Sequence, residues 1–425
     1  MLDDRLTTTS IAGLLAARQS GHTLPAALYT SQAAFDADCD MIFSRHWIAV
    51  GVACDVEEAG DVIALDIGPA SILILRDDAN QLRAFHNVCS HRGARLVPPG
   101  RSVVGKLVCP YHQWTYDLDG ALALAPHMGV DFERDLHHLK PVALRDVGGI
   151  LYACLSDTPP PDITELEQVM EPRLAPYDLR NAKIAFEQDV IEEGNWKLTM
   201  ENNRECYHCA SNHPQLSLSF HAADFGYDPD GLTETEKAEA NGLLDAYARY
   251  GAHWDKEGLL HAAVEHTVGW PTNFRTQRLI IAGLGESQTP DTRAAVSVPL
   301  GDTERPWMGD VHLWGINSWN HVMADHAVIF TAFPIGPDRT LVRTKWLVNR
   351  DAVEGEDYDL EYLTSVWKQT NAEDAHLVAL AHKGALSPGY RPGPYSRFTE
   401  RALDEFAAWY VERMTAEGAG HGAGT

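Results

Sequence analysis

The chain has 425 residues, 45% of them hydrophobic and 22% charged, and a formal charge of −26. That length can bury more than one core, and the acidic balance excludes the basic footprint that a nucleic-acid partner requires. No run is long and apolar enough for a membrane span, and Asp3 and Asp4 ahead of the short apolar run 11–17 do not fit a signal peptide.

In chain order, residues 1–24 predict a short helix capped by Thr9 or Ser10 and ended by Pro25. Residues 31–46 predict a second helix, with Phe35, Met41, Ile42 and Phe43 on its apolar side. The texture then changes to short β-type runs at 62–65, 71–76, 82–87, 106–109, 114–117 and 150–154, punctuated by turns at 77–80 and 119–120. These runs define a small all-β domain over 47–157, after an N-terminal helical segment over 1–46 that is expected to pack on the domain that follows it, 158–416.

Two loops of that β domain carry Cys89-Ser-His91-Arg-Gly and Cys109-Pro-Tyr-His112. Two Cys and two His suit a [2Fe–2S] cluster, with Cys89 and Cys109 on one iron and His91 and His112 on the other. Neutral imidazoles in place of thiolates raise the reduction potential of such a cluster. Zinc also takes Cys2His2 sets, but the finger order is two Cys and then two His, not Cys-His repeated. The remaining cysteines, Cys39, Cys54, Cys154, Cys206 and Cys209, show no disulfide framework, which fits a reducing cytosol.

The Pro-rich stretch 158–161 marks a boundary, and 158–416 forms a second domain. Helices are predicted over 164–174, 196–209, 234–250, 357–383 and 399–415. Strands are predicted over 185–192, 277–282, 294–298, 312–316, 321–323, 327–333 and 340–347, and their alternation reads as a half-buried antiparallel sheet. The Gly- and Ala-rich tail 417–425 is expected to be disordered.

His208 and His213, five residues apart, do not share a face of a regular helix, so the helix must end or distort between them. Asn212 and Pro214 supply the break. The pair is either two unrelated surface imidazoles or two ligands of a 2-His-1-carboxylate iron site. The third ligand would be Asp374, which falls mid-stripe on the apolar face made by Leu363, Val366, Trp367, Leu377, Val378 and Ala381, whereas Glu373 falls at the edge. A carboxylate on a buried face is costly unless it is paired or binds metal.

Together these motifs resemble the Rieske non-haem iron oxygenases over about 47–410: Cys89-x-His91 with Arg92-Gly93, Cys109-Pro-Tyr-His112 with Trp114, the His208/His213 pair, and the Glu373-Asp374 element. Segments 195–209, 286–293, 343–348 and 391–396 are most similar to the branch acting on quaternary ammonium compounds, glycine betaine among them. The resemblance implies an α+β fold, a small all-β Rieske domain joined to a helix-flanked antiparallel-sheet catalytic domain of helix-grip, START-like form. It implies a [2Fe–2S] cluster, a mononuclear Fe(II), and O2-dependent demethylation of glycine betaine to dimethylglycine and formaldehyde. Electrons would come from a separate flavin and iron–sulfur reductase using NAD(P)H, since the chain shows no Gly-x-Gly-x-x-Gly fingerprint. It further implies a homotrimer in which Glu205 bridges the partner subunit's His112 to His208. The ring-hydroxylating branch usually has Asp at the position of Glu205. Tyr207 and Asn202 are candidates to support the iron ligands, or ordinary helix-packing residues. A quaternary ammonium calls for aromatic faces, offered by Phe220, Trp254, Trp270, Trp314 and Trp319 among residues that equally suit a core. Three other readings stand beside this one: another quaternary ammonium substrate (carnitine, proline betaine or choline), an aromatic-ring dioxygenase, and an electron carrier without oxygenase chemistry.

Overall fold

The computed structural model describes residues 10–416; Thr9 and the tail expected to be disordered, 417–425, lie outside them. Ser10 caps the first helix, Ile11–Ala16, by accepting the Gly13 N–H. Pro25 does not end that helix. It opens the next, Ala26–Thr30, where its φ of −54° suits a helix start. The helix Gln32–Asp38 continues as a π turn over Cys39–Phe43. At their junction the fully buried Asp38 accepts the Trp196 indole N–H at 2.8 Å, the Tyr410 hydroxyl at 2.7 Å and the Lys197 ammonium. This one carboxylate ties the N-terminal helices to the helices Trp196–Asn202 and Arg401–Ala416.

All six β runs predicted in the small domain carry strands. A four-stranded sheet runs in the order Leu82–His86, Ala70–Arg76, Asp61–Ile67, Gly100–Val103. Two three-stranded sheets complete the domain, one of Ile48–Val52, Ile150–Cys154 and Ala143–Val147, the other of Leu107–Val108, Thr115–Tyr116 and Leu122–Leu124. The unpredicted strands are short or irregular in pattern, as in Gly-Arg-Ser-Val at 100–103, and pairing alone makes them strands.

The larger sheet has seven antiparallel strands in the order Ala182–Glu192, Arg339–Asn349, Ala327–Gly336, Ser318–Val322, Asp310–Trp314, Phe274–Leu279, Val264–His266. The predicted strand at 294–298 is a loop, held by Asp325, which accepts the Ala295 N–H at 2.7 Å and the Ser287 hydroxyl at 2.8 Å. The sheet is not half-buried as its alternation suggests. Every residue of Asp310–Trp314 and Ser318–Val322 is buried. Their polar positions face an enclosed site or a buried partner, not water. The 26-residue helix Leu360–Ala385, capped by Asp359, packs against Ala182–Glu192 and against Trp196–Asn202.

One buried ion pair couples the two sheets' domains. Lys345 of the large sheet donates to both oxygens of Asp55 at 2.6 and 2.5 Å, and Arg101 of the small domain also reaches Asp55. Burial pushes the Asp55 carboxyl up, but Lys345 and Arg101 outweigh it and hold it below the usual carboxylate range. Removing one partner of such a pair strands a charge. Lys345→Met should therefore destabilise the protein by about 3 kcal/mol, the low end for a broken buried pair because Arg101 remains, read as a lower urea midpoint. A depressed folded pKa contributes stability above the unfolded value and loses it as pH falls. Below about pH 4 the urea midpoint should thus drop more steeply in the native protein than in Asp55→Asn.

Candidate metal centres

The four cluster candidates converge at one end of the small domain. Each Cys opens a turn of the same shape: the Gly93 N–H donates to the Cys89 carbonyl at 2.9 Å, and the Gln113 N–H to the Cys109 carbonyl at 3.0 Å. Both closing residues have positive φ, 75° at Gly93 and 60° at Gln113, a conformation glycine takes without strain. Both thiols are free and buried in the domain core with Trp114, Tyr116 and Leu107. Burial pushes the Cys89 thiol up against the hydrogen bond with Tyr116, and Cys109 beside it adds to the rise. The rings of His91 and His112 lie 4.7 Å apart, and His91 stacks flat on Trp114. Burial, with His91 beside it, lowers the pKa of His112, favouring the neutral form that ligates metal. Each of these two imidazoles leaves Nδ1 buried without a hydrogen-bond partner. Two thiols and two unclaimed imidazole nitrogens fit a [2Fe–2S] group.

The second centre is built on a helix that stops short. The helix predicted over 196–209 ends at Asn202, and residues 203–208 run through turns. Arg204 draws the chain off the helical path: its guanidinium is buried over the Phe406 ring at 4.2 Å and donates to the Gly315 carbonyl at 2.7 Å. A single helical turn, Cys209–Asn212, follows, with His208 at its start and His213 at its end. Two imidazoles five residues apart thereby face each other, ring centres 5.1 Å apart. Asp374, buried on the core face of Leu360–Ala385, puts Oδ1 3.0 Å from His213 Nε2 and 3.4 Å from His208 Nε2. Burial would raise the Asp374 carboxyl, but the two imidazoles outweigh it and hold it low. Burial would likewise lower His208, but Asp374 and Glu205 outweigh it and raise it to about 9. Carboxylates at both ring edges favour positive charge here, and two imidazoles with one carboxylate are a donor set for Fe(II).

Each imidazole also has a carboxylate on its far nitrogen. Glu205 Oε1 lies 2.6 Å from His208 Nδ1, and Glu373 Oε2 lies 2.7 Å from His213 Nδ1. Such contacts fix the tautomer and turn Nε2 toward the site. Asn202 donates to Asp374 Oδ1 at 2.7 Å. The role of Glu373 is not legible from helical phase, which gives only its edge position. Glu205 does not share a helix with His208; it reaches back from the intervening turn, and its Oε2 accepts the Tyr207 N–H. The two nearest cations in sequence do not pair with it: Lys197 pairs with Asp38, and Arg204 donates to Gly315 and Asn273. Tyr207 is 68% exposed and does not line the site. Contrary to the expectation of no disulfide, Cys206 and Cys209 are joined, their Cα atoms 4.9 Å apart across the local turn.

The three donors open on a pocket of about 390 Å3, mouth included. Of the predicted aromatic candidates, Phe220 and Trp319 line it. Trp254 packs between Tyr250 and His261, Trp270 stacks on His266, and Trp314 sits one step back beside His312. Phe225, His312, His321 and Trp367 complete the wall without having been predicted. No Lys or Arg among the described residues lines this pocket.

Residues 181–416 match the family of ring hydroxylating alpha subunits (catalytic domain), and 46–140 match the Rieske [2Fe-2S] domain. The chain is 41% identical to the glycine betaine monooxygenase oxygenase subunit of Chromohalobacter salexigens, over 97% of this chain and 91% of the relative. It is 38% identical to the subunit of the same name from Pseudomonas aeruginosa, over 95% of this chain and 91% of that one. A solved quaternary ammonium Rieske monooxygenase superposes with a TM-score of 0.70 at 20% identity, covering 96% of this chain and 99% of its own, a likeness of fold.

The geometry separates the two neighbouring carboxylates on Leu360–Ala385. Asp374→Ala should lose the mononuclear iron while keeping the visible and paramagnetic signature of the cluster. Glu373→Gln should keep iron and lose roughly 10- to 100-fold in activity, as for other groups that orient a ligand. Iron analysis checks both, and iron lost from the Glu373 variant but retained in Asp374→Ala would exchange their roles.

Proposed function

The chain belongs to the Rieske oxygenase alpha subunits, and on that premise we propose that it demethylates glycine betaine to dimethylglycine and formaldehyde. It is a monooxygenase oxygenase component with a [2Fe–2S] Rieske domain and a mononuclear non-haem iron catalytic domain. The observation that carries the substrate reading is the pocket wall. Phe220, Phe225, Trp319 and Trp367 line the space in front of the three donors, and no Lys or Arg among the described residues joins them. A quaternary ammonium has no N–H to donate, so aromatic faces are its natural partners. The name borne by the relatives from C. salexigens and P. aeruginosa supports the same class.

Cys89, His91, Cys109 and His112 would hold the cluster, and His208, His213 and Asp374 the iron. Bound there, these groups supply electrons one at a time and the activation of O2. The protein's own part is orientation: Glu205 and Glu373 fix the two imidazoles, Asn202 steadies Asp374, and the aromatic wall presents one methyl group while excluding water. Hydroxylation of that methyl gives an N-hydroxymethyl compound that expels formaldehyde. One oxygen atom of O2 goes to formaldehyde and the other to water, with two electrons drawn from a separate NAD(P)H-dependent reductase. Glu205 is the bridge between subunits. Its carboxylate accepts from His208 and keeps lone pairs for the partner subunit's His112, a head-to-tail contact that closes into a homotrimer. The enzyme works in the cytoplasm, where reductase and NAD(P)H are available. No helix among the described residues is long and apolar enough to cross a membrane.

With a surrogate reductase and NAD(P)H, glycine betaine should yield formaldehyde and dimethylglycine in equal amounts. Oxidation of naphthalene or benzoate with none of any betaine would overturn the assignment. In Glu205→Ala the irons should remain and the reductase should still reduce the cluster. Formaldehyde release should nevertheless fall by about 100-fold or more, and near-normal turnover would remove the bridge.

A further inference from the structure

Within the pocket, nearly every polar side chain already has a partner. His321 Nδ1 meets Asp310 at 2.6 Å, the Trp367 indole donates to Gln288 at 2.8 Å, and the Thr370 hydroxyl donates to the Val366 carbonyl at 2.9 Å. Asn202 is taken by Asp374, and Asn203 by the Thr199 carbonyl. Apart from His213 Nε2, which faces Asp374 in the iron site, two buried atoms of the lining are left over: His312 Nδ1 and Trp319 Nε1 have no hydrogen-bond partner among the described residues. Buried polar atoms without partners are uncommon in folded proteins and each asks for an explanation.

These two residues are neighbours by sheet register. His312 pairs with His321 and Trp314 with Trp319 across the strands Asp310–Trp314 and Ser318–Val322. The period of two along each strand therefore puts His312 and Trp319 on one face, diagonal to each other. The sheet holds both rings: His312 stacks on His321 at 4.7 Å, and Trp319 stacks on Phe330 at 5.0 Å. An indole N–H can only donate, and a neutral imidazole keeps one N–H. Burial, with His321 and Arg275 nearby, holds the His312 pKa well below the usual range, so its ring adds no charge. A carboxylate is the complementary group, since it accepts from N–H donors and donates nothing.

We propose that His312 and Trp319 form the anchor for the substrate's carboxylate, while the neighbouring rings of Phe220, Phe225 and Trp367 receive its ammonium. This rests on the betaine reading above. It gives one pocket both N–H donors, from the sheet, and aromatic faces. The enzyme thereby distinguishes a betaine from an amino alcohol of the same ammonium group.

Trp319→Phe and His312→Phe each remove an N–H and keep an aromatic ring. In each, the KM for glycine betaine should rise on the order of 10- to 100-fold, the range expected for a lost hydrogen bond to a charged group. The kcat should stay within about twofold, and iron content and cluster spectrum should be unchanged. The KM or inhibition constant for choline, which carries a hydroxymethyl group in place of the carboxylate, should barely move. His312→Asn, which restores an N–H, should recover much of the loss. Choline and glycine betaine weakened in parallel, or neither weakened, would overturn the anchor while leaving the demethylase reading in place. Native protein that neither binds nor demethylates any betaine, by calorimetry and formaldehyde release, would overturn the substrate class and the anchor with it.

Discussion

A carboxylate on the core side of a 26-residue helix is the constraint around which the catalytic half is arranged. Asp374 is 6% exposed, and an unpaired charge at that depth is not tolerated. Its partners come from the other side of the fold, His208 and His213 at the ends of one helical turn and Asn202 at the end of the preceding helix. The long helix must therefore lie close against the segment that enters that region. Gly194 permits the approach: a Cβ there would stand 2.5 Å from Val378 of the helix. Further along, Asn371 donates to Thr344 of the sheet and Trp367 to Gln288, fixing the helix's rotation so that residue 374 points inward.

The two centres use different local structures. The cluster candidates sit in two matched turns on a small sheet core, each turn closed by an N–H to the Cys carbonyl. The iron candidates sit where helical structure breaks, and side-chain contacts supply the rigidity that backbone regularity does not. Each imidazole is held between carboxylates, one at either ring nitrogen. Such double support fits a site whose ligands must keep their directions when a position is left open for O2 and substrate.

The large sheet contributes more than a scaffold. Its strands Asp310–Trp314 and Ser318–Val322 are buried throughout, yet they carry Asp310, His312, Asn320 and His321. Asp310 accepts from His321 Nδ1 and from the Gln288 amide, and Gln288 accepts the Trp367 indole N–H, which satisfies one part of this polarity and connects the sheet to the helix bearing Asp374. Of the rest, His312 faces the pocket and Asn320 accepts the Phe330 N–H at 3.2 Å. Away from the site, Asp38 and the Asp55–Lys345 pair do the joining, one between helices and one between the two sheet systems.

The amino-acid sequence by itself determined the two half-motifs of the cluster, the spacing of the histidine pair and the choice of Asp374 over its neighbour for the buried face. Those features depend on spacing within a few residues or on helical phase, and both are properties of a single segment. Tertiary structure decided the rest. The helix over 196–202 stops where Arg204 finds a core carbonyl, a partner more than a hundred residues away. Glu373 meets His213 only because two distant segments are pressed together. Pro25 opens a helix because its φ suits a start as well as a stop. The alternation of strands 310–322 was correct as a pattern, but whether its polar side meets water or an enclosed pocket depends on what covers the sheet. The pocket wall is gathered from the 216–225 loops, the two strands and the long helix. No local pattern records which aromatic rings will share one cavity, because that is set by packing between segments and not by any one of them.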